Sequence, residues 1–100
     1  MMAITKDALI RLHDATFASV HIDWADGSAE LRLLVHKGKP VVLRAEGLKL
    51  INVPKREPWG PSVSVNEIRG PIPADDGLRM EIELQSGDTV AIDAEGFSLV

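Results

Sequence analysis

The strongest constraint on the fold is the dipeptide Asp26-Gly27, which separates two runs of alternating apolar residues between Thr16 and Val35. Asp-Gly between such runs is typical of a tight hairpin, because a type I′ turn needs positive φ at both central residues. A two-residue turn places the apolar side chains of both strands on one face, as the strand period of two requires. A three-residue loop would instead place Ile22 opposite Glu30. The sequence therefore predicts a hairpin closed by a two-residue turn.

This turn fixes the pairs that face each other across the first hairpin. On the apolar face the predicted pairs are Ala25 with Ser28, Trp24 with Ala29, Ile22 with Leu31, Val20 with Leu33, and Ala18 with Val35. On the polar face, His21 is expected opposite Arg32, and Phe17 is expected opposite His36.

Two later glycines predict two more hairpins, each with a three-residue loop that ends in a left-handed glycine. A loop of His36, Lys37 and Gly38 predicts the pairs Leu33 with Val41, Leu31 with Leu43, Ala29 with Ala45, and Glu30 with Arg44. A loop of Gln85, Ser86 and Gly87 predicts the pairs Ile82 with Val90, Met80 with Ile92, Leu78 with Ala94, and Arg79 with Asp93. Both registers place opposite charges against each other on the wet face, which supports them.

The N-terminal residues 5–12 predict a short helix. Thr5 is a candidate N-cap, and Ile4 and Leu9 then occupy the two positions of a hydrophobic staple. Leu9 and Leu12 share one face of this helix and are expected to dock on the sheet. The alternative is that Leu9–Leu12 is already extended and leads into the first strand.

The middle of the chain predicts a long, bent strand followed by an irregular segment. The strand starts at Pro40 or Val41, and its apolar phase slips at Gly47 and near Ile51, which indicates a bulge or bend. Residues 54–73 contain five of the six prolines, so a central strand is not expected through most of them. Within them, residues 63–65 predict a short edge strand, or residues 64–68 a single helical turn. No repeat or low-complexity segment is apparent.

These elements predict a mainly β (β-rich α+β) fold in a single domain spanning residues 1–100. We expect an antiparallel meander of five or six strands, curled into a half-barrel or a compact sandwich, with at most one short N-terminal helix. The C-terminal residues Phe97, Leu99 and Val100 are expected to pack back on the sheet.

Composition narrows the classes of partner. The formal net charge is −4, and the lysines and arginines are scattered, so no basic stripe is present for nucleic acid or an anionic membrane. No apolar run is long enough to span a bilayer, and the N-terminus lacks the pattern of a secretory signal. The chain has no cysteine. We therefore expect a cytoplasmic protein with no nucleic-acid or membrane partner and no cofactor.

The candidate binding residues are Trp59, Arg56, Glu57 and Asn66. Trp59 lies between two prolines, and a rigid tryptophan offers a large contact area at a low ordering cost. The alternative is that Trp59 folds back as a lid over the open end of the sheet. We therefore predict a non-enzymatic module that binds a protein or associates with itself, with a homodimer as one form.

The rival hypothesis is a small hydrolase or a metal-dependent enzyme. It rests on His13, Asp14, His21 and Asp23, the main cluster of imidazole and carboxylate groups in the sequence. No closed set of three or four metal ligands is visible among them, and no glycine-framed serine nucleophile is present.

Three motifs carry a resemblance to known proteins. They are Leu12–Ala15 (LHDA), Asp23–Gly27 (DWADG) and Glu57–Ile68 (EPWGPSVSVNEI). With these motifs the chain resembles a family of small uncharacterised bacterial β-rich proteins, loosely similar to immunity-type domains of bacterial toxin systems. The resemblance implies a stand-alone β-meander domain with a binding role in the bacterial cytoplasm, and it implies no catalytic residues.

Overall fold

Antiparallel strands make up most of the chain, and they follow one another with short connections. The computed structural model describes residues 2–4, 6–56 and 63–100. The elements are β1 (Met2–Ala3), α1 (Lys6–Ile10), β2 (Thr16–Asp23), β3 (Ser28–Leu34), β4 (Pro40–Asn52), β5 (Val63–Ala74), β6 (Gly77–Leu84) and β7 (Thr89–Leu99). A turn of 3₁₀-helix at His36–Gly38 connects β3 to β4.

The sheet closes on itself. Its strand order is β1-β7-β4-β3-β2-β5-β6, and β6 also pairs with β7, so six strands form a ring to which β1 adds at the edge of β7. This confirms the predicted antiparallel β fold with one short helix. Full closure leaves fewer unpaired edges than the expected half-barrel would.

The ring consists of two three-stranded meanders, not one continuous meander. In the first, β2, β3 and β4 are consecutive neighbours, and in the second, β5, β6 and β7 are. The meanders meet through their last strands, β4 with β7, and through their first strands, β2 with β5. Strand β4 therefore pairs with β3 in its own meander and with β7 in the other.

The second and third predicted hairpins are confirmed residue by residue. In the β3–β4 pair Leu31 lies opposite Leu43, and in the β6–β7 pair Met80 lies opposite Ile92. All the other predicted pairs of these two hairpins are also present. Gly38 and Gly87 have φ angles of 74° and 103°, the left-handed backbone that each loop requires.

The first hairpin has the predicted faces from Ser19 to Asp23 but a register that differs by two residues, and at Phe17 and Ala18 the faces are the reverse of those predicted. Its turn comprises four residues, Trp24–Gly27, and Asp23 lies opposite Ser28. Asp23 Oδ1 accepts a hydrogen bond of 3.0 Å from the backbone N–H of Asp26. Loops of two and four residues give the same alternation of side chains, so alternation alone could not distinguish them. The prediction of a two-residue turn is wrong for this reason.

The shift changes every facing pair of the first hairpin. The observed pairs are Ile22 with Ala29, His21 with Glu30, Val20 with Leu31, Ser19 with Arg32, and Phe17 with Leu33. Arg32 is therefore not opposite His21, and His36 is not opposite Phe17. A register irregularity between Phe17 and Ser19 adds a bulge that the alternation did not predict.

Strand β5 overturns the expectation that residues 54–73 contain little strand. It runs through Pro71 and Pro73 to Ala74 and pairs with β6 over most of its length. On its other edge, residues 66–74 pair with no strand in the part of the chain that the structure describes. Proline lacks an N–H group, and at an unpaired edge this costs no ladder hydrogen bond. The observed strand also excludes the helical turn considered for residues 64–68.

The bend in β4 is confirmed. The pairing of β4 with β7 changes register between Leu48 and Leu50, directly after Gly47, whose φ is 63°. The bend lets β4 pair with β3 in its first part, up to Glu46, and continue along β7 to Asn52. The long strand therefore spans both meanders.

The core fills the inside of the ring. Its largest fully buried side chains come from both meanders: Leu31, Leu33, Leu43, Met80, Ile82, Ile92, Val65 and Val90. The predicted helix is confirmed as α1, and Leu9 and Leu12 are buried with the core. Leu12 donates a backbone hydrogen bond of 3.0 Å to Leu9, so Leu9–Leu12 is not extended. The N-cap assigned to Thr5 lies outside the described residues.

The β3–β4 and β6–β7 hairpins repeat one pattern of facing pairs. Ala45-Glu46-Gly47 in β4 recurs 49 residues later as Ala94-Glu95-Gly96 in β7. The same offset relates every β3–β4 pair that we predicted to a β6–β7 pair, for example Leu33 with Val41 to Ile82 with Val90. This repeat is inconspicuous in the sequence because the surface residues differ, whereas the buried positions keep only their apolar character.

One ion pair is kept in both copies with its polarity reversed. Glu30 and Arg44 face each other in the first meander, with Arg44 Nη1 3.0 Å from Glu30 Oε2. The equivalent residues in the second meander are Arg79 and Asp93, joined by two hydrogen bonds of 2.6 and 2.9 Å. Hydrogen bonding to Arg79 lowers the pKa of Asp93 and raises the pKa of Arg79.

Reversing the charges of the second pair should be tolerated only when both partners change. Asp93→Arg alone places two guanidinium groups against each other and should lower the melting temperature. The double variant Arg79→Glu and Asp93→Arg restores opposite charges in the polarity of Glu30 and Arg44, and it should recover most of the loss. Circular dichroism melts of the parent and the two variants test this. A double variant that melts no higher than Asp93→Arg would contradict it.

The same pair should make stability depend on pH in acid. Because the pKa of folded Asp93 is lowered, its contribution is complete above the ordinary aspartate pKa of about 3.9 and is lost as the pH falls through the lowered value. Asp93→Asn should therefore melt below the parent at pH 7, and the difference should shrink as the pH falls below the ordinary aspartate range. Asp76→Asn, in the exposed turn before β6, is the matched control for the loss of one carboxylate.

Candidate functional site

The predicted binding residues are only partly within the described chain. Trp59 and Glu57 lie outside the described residues, so the choice between lid and anchor for Trp59 stays a prediction. Arg56 is exposed, and its backbone N–H donates to Asp88 Oδ2 at 3.1 Å. Asn66 is exposed on β5, and its side-chain amide donates to Glu83 Oε2 at 2.6 Å. Both residues are therefore anchored to the β6–β7 hairpin, but through different partners.

The structure places Asn66 beside His13 and Asp14, two of the residues on which the rival enzyme hypothesis rests. His13 Nδ1 donates to the backbone carbonyl oxygen of Asn66 at 2.6 Å, and its Nε2 lies 3.5 Å from Asp14 Oδ1. The same carboxylate oxygen accepts a hydrogen bond of 3.0 Å from the side chain of Gln85. The backbone N–H of Asp14 donates a hydrogen bond of 2.8 Å to the carbonyl oxygen of Val65. These contacts fasten the connection between α1 and β2 onto β5, which is a structural role.

The other two residues of that hypothesis lie elsewhere. His21 and Asp23 are exposed on β2, where His21 faces Glu30 and Asp23 binds the N–H of Asp26 within the turn. Within residues 2–4, 6–56 and 63–100, no group of three or more histidine, aspartate or glutamate side chains is placed to hold a metal ion. In the described chain, His13 and Asp14 therefore attach the connection between α1 and β2 to its neighbours, and Asp23 stabilises a turn.

Zinc should therefore leave the stability of this protein unchanged. A specific site with a Kd a hundredfold below the zinc concentration would stabilise the native state by about 2.7 kcal/mol. For a chain of this size that corresponds to a rise in Tm of more than about 10 °C. Melts with and without zinc, and after dialysis against a chelator, measure it. A reproducible rise that His13→Ala abolishes would restore the metal hypothesis.

An exposed apolar surface lies at the far end of β2 and β4. We name it the Trp24 corner, and it consists of Ile22, Trp24, Leu48, Leu50 and Ile51. Trp24 is 91% exposed, Leu50 is 53% exposed and Ile22 is 43% exposed. Together with Asp23, Gly27 and Lys49, these residues line a shallow groove of about 370 Å³.

Turn geometry explains why Trp24 is at the surface. In the predicted two-residue turn, Trp24 would belong to the strand and face Ala29 on the inside of the sheet. In the observed turn it is the first of four loop residues, so its indole leaves the sheet. The signal for this was the aspartate just before the loop: Asp23 can cap the N–H three residues later, and Gly27 then takes the left-handed final position.

Charged pairs border the Trp24 corner. Asp26 in the turn pairs with Arg44 at 3.1 Å, and Lys49 on β4 lies 3.8 Å from Glu95 on β7. The corner therefore combines an apolar centre with a polar border, the usual composition of a surface that binds another protein.

A second groove lies between α1 and the unpaired edge of β5. It has a volume of about 660 Å³ and is lined mainly by apolar residues, among them Ile4, Ile10, Ile68 and Ile72. His13 and Asn66 also line it. Ile10 is 63% exposed and Ile72 is 45% exposed. This groove contains Asn66, one of the predicted binding residues.

Comparison with models of known protein families, with curated proteins and with solved structures gives no match. In the described part of the chain, no helix has the length and apolar character that crossing a membrane requires.

Proposed function

We propose that this chain is a non-enzymatic protein-binding or self-associating module and that the Trp24 corner is its main contact surface. One observation carries the proposal: Trp24 is 91% exposed beside other exposed aliphatic side chains on a folded barrel. Burial of a tryptophan side chain contributes strongly to protein association, and tryptophan is enriched among the residues that dominate binding energy.

The surroundings of Trp24 support a contact surface over an incidental exposure. Single exposed apolar residues are normal on a protein surface, but a contiguous group bordered by charges marks an interaction site. Ile22 and Leu50 are both more than two-fifths exposed and line the same groove as Trp24. The hydrogen bond from Asp26 to Asp23 stabilises the backbone of the four-residue turn that carries Trp24, which reduces the backbone entropy lost on binding.

The sequence motifs fit the same class of function. The segment with Trp59, Arg56 and Glu57, and the neighbouring Asn66, is retained in this proposal as a second contact region. The resemblance to small bacterial β-rich proteins and to immunity-type domains also favours binding over catalysis. The compartment that we propose is the bacterial cytoplasm, the default for a chain without cysteine.

Replacement of Trp24 should weaken association without unfolding the barrel. Trp24→Ala removes an exposed side chain, so its Tm should stay close to that of the parent, while a central binding residue should cost about 2 kcal/mol or more in association. Sedimentation velocity over a range of concentrations measures self-association, and affinity capture from the native host, followed by titration of the captured protein, measures binding to a partner.

The matched control is Val100→Ala, which removes apolar surface at a position that is 65% exposed and lines neither groove. It should leave association unchanged. Equal weakening by both variants would indicate nonspecific apolar contact. A parent protein that stays monomeric and captures nothing that depends on Trp24 would contradict the proposal.

A further inference from the structure

Two steps in the chain join an aspartate to a glycine: Asp26-Gly27 before β3 and Asp76-Gly77 before β6. A glycine has no side chain to shield its backbone nitrogen, so this nitrogen can reach the carboxyl carbon of the preceding aspartate. Closure of a succinimide ring in this way is the first step in the conversion of aspartate to isoaspartate. Both steps lie at hairpin turns, so the local sequence does not distinguish them.

This covalent change needs water and no other reactant. The glycine nitrogen forms a bond to Cγ of the aspartic acid, and the amide hydrogen and the carboxyl hydroxyl leave as one water molecule. A second water molecule then opens the ring. Opening at the side-chain carbonyl restores aspartate, whereas opening at the main-chain carbonyl gives isoaspartate, whose Cβ and Cγ are part of the backbone. The backbone is then one carbon longer, and the composition is unchanged.

Contacts in the folded chain restrain the first of these sites. The N–H of Gly27 is shared between the carbonyl oxygens of Asp23 and Trp24, at 3.0 and 3.2 Å. The carboxylate of Asp26 is held by Arg44, with 3.1 Å between Asp26 Oδ2 and Arg44 Nη2. The backbone N–H of Asp26 donates to Asp23 Oδ1 at 3.0 Å. The turn therefore has to open before the carboxyl carbon of Asp26 can react with Gly27.

Arg44 is itself held in position by two further carboxylates. Its Nη1 lies 3.0 Å from Glu30 Oε2, and its Nε lies 3.0 Å from Glu46 Oε1. Three nitrogens of one planar guanidinium thus bind the turn, β3 and β4 at once. A side chain fixed at three points keeps the carboxylate of Asp26 in place more firmly than a single exposed ion pair would.

The second site has no such restraint on its aspartate. Asp75 and Asp76 form an exposed turn between β5 and β6, which the ladder pair of Ala74 and Gly77 closes. Within residues 2–4, 6–56 and 63–100, the Asp76 carboxylate has no hydrogen bond and no ion pair. The guanidinium of Arg79, three residues later, is bound to Asp93 by two hydrogen bonds. Rotation of the Asp76 side chain toward its glycine neighbour therefore breaks no contact of this kind.

We propose that Asp76-Gly77 is a site of spontaneous isoaspartate formation in the folded protein, and that the ion pair with Arg44 protects Asp26-Gly27 from the same modification. This inference goes beyond the proposed function and does not depend on it. The protection is relevant to that function, because isoaspartate at Asp26 would lengthen the backbone of the turn that carries Trp24.

Prolonged incubation of the full-length protein at neutral pH, followed by tryptic peptide mapping, tests the proposal. Trypsin separates the two sites, since Asp26 lies in the peptide of residues 12–32 and Asp76 in that of residues 70–79. Electron-transfer dissociation distinguishes isoaspartate from aspartate by cleavage between Cα and Cβ. The matched control is the same protein unfolded in guanidinium chloride, in which the folded contacts are absent from both sites.

In the folded protein, isoaspartate should accumulate at Asp76 at least about tenfold faster than at Asp26, because several contacts at Asp26 have to break first. In the unfolded protein the two rates should be similar. Equal rates at the two sites in the folded protein would overturn the proposal. Isoaspartate confined to the unfolded protein would overturn it as well.

The role of Arg44 is tested with Arg44→Lys, which keeps a positive charge beside Glu30 and Glu46 but lacks the planar fork that also reaches Asp26. This variant should raise the rate at Asp26 by about threefold or more and leave the rate at Asp76 unchanged. The matched control is Arg79→Lys, which should leave the rate at Asp26 unchanged. An unchanged rate at Asp26 in Arg44→Lys, or an equal rise in Arg79→Lys, would show that Arg44 does not protect this site.

Discussion

The pairing between β4 and β7 is the contact on which the rest of the barrel depends. Strand β4 is thirteen residues long and pairs with β3 on one edge and with β7 on the other, so it belongs to both meanders. The opposite contact between the meanders, β2 with β5, has only two residue pairs in the ladder. The bend after Gly47 keeps β4 on β7 where β3 has not yet begun. The strand that closes the barrel thus also forms the floor of the Trp24 corner.

The parts of the fold that the sequence predicted correctly are those in which turn chemistry and strand alternation give a single answer. The loops ending at Gly38 and Gly87 have an odd length, and any even length would have mixed the faces. The predicted register of the first hairpin is wrong because loops of two and four residues keep the same faces. Only the hydrogen bond between Asp23 and the turn distinguishes the two loop lengths. The length of strand β5 was not predicted because a proline was taken to exclude a strand that has hydrogen bonds on both edges. Residues 66–74 have a partner strand on one edge only, among the described residues.

The candidate site was less predictable for a related reason. Both tryptophans were visible in the sequence, but their exposure depends on contacts that are distant along the chain. In the register of a two-residue turn Trp24 faces the interior, so Trp59 was the tryptophan predicted to make contacts. Trp59 lies outside the described residues. Asn66 was identified for its polarity, yet its observed role is to connect His13 to Glu83.

The reversed polarity of the repeated ion pair affects which strands of the two similar hairpins pair with each other during folding. The apolar faces of β3 and β6 are alike, so these faces alone do not direct β3 to β4 in preference to β7. That exchange would set Glu30 against Asp93 and Arg44 against Arg79, so both cross-strand contacts would join like charges. Duplicated sequences are prone to such exchange, within one chain or between neighbouring chains. The reversed polarity of this ion pair on the wet face thus distinguishes the two hairpins, which their apolar cores do not.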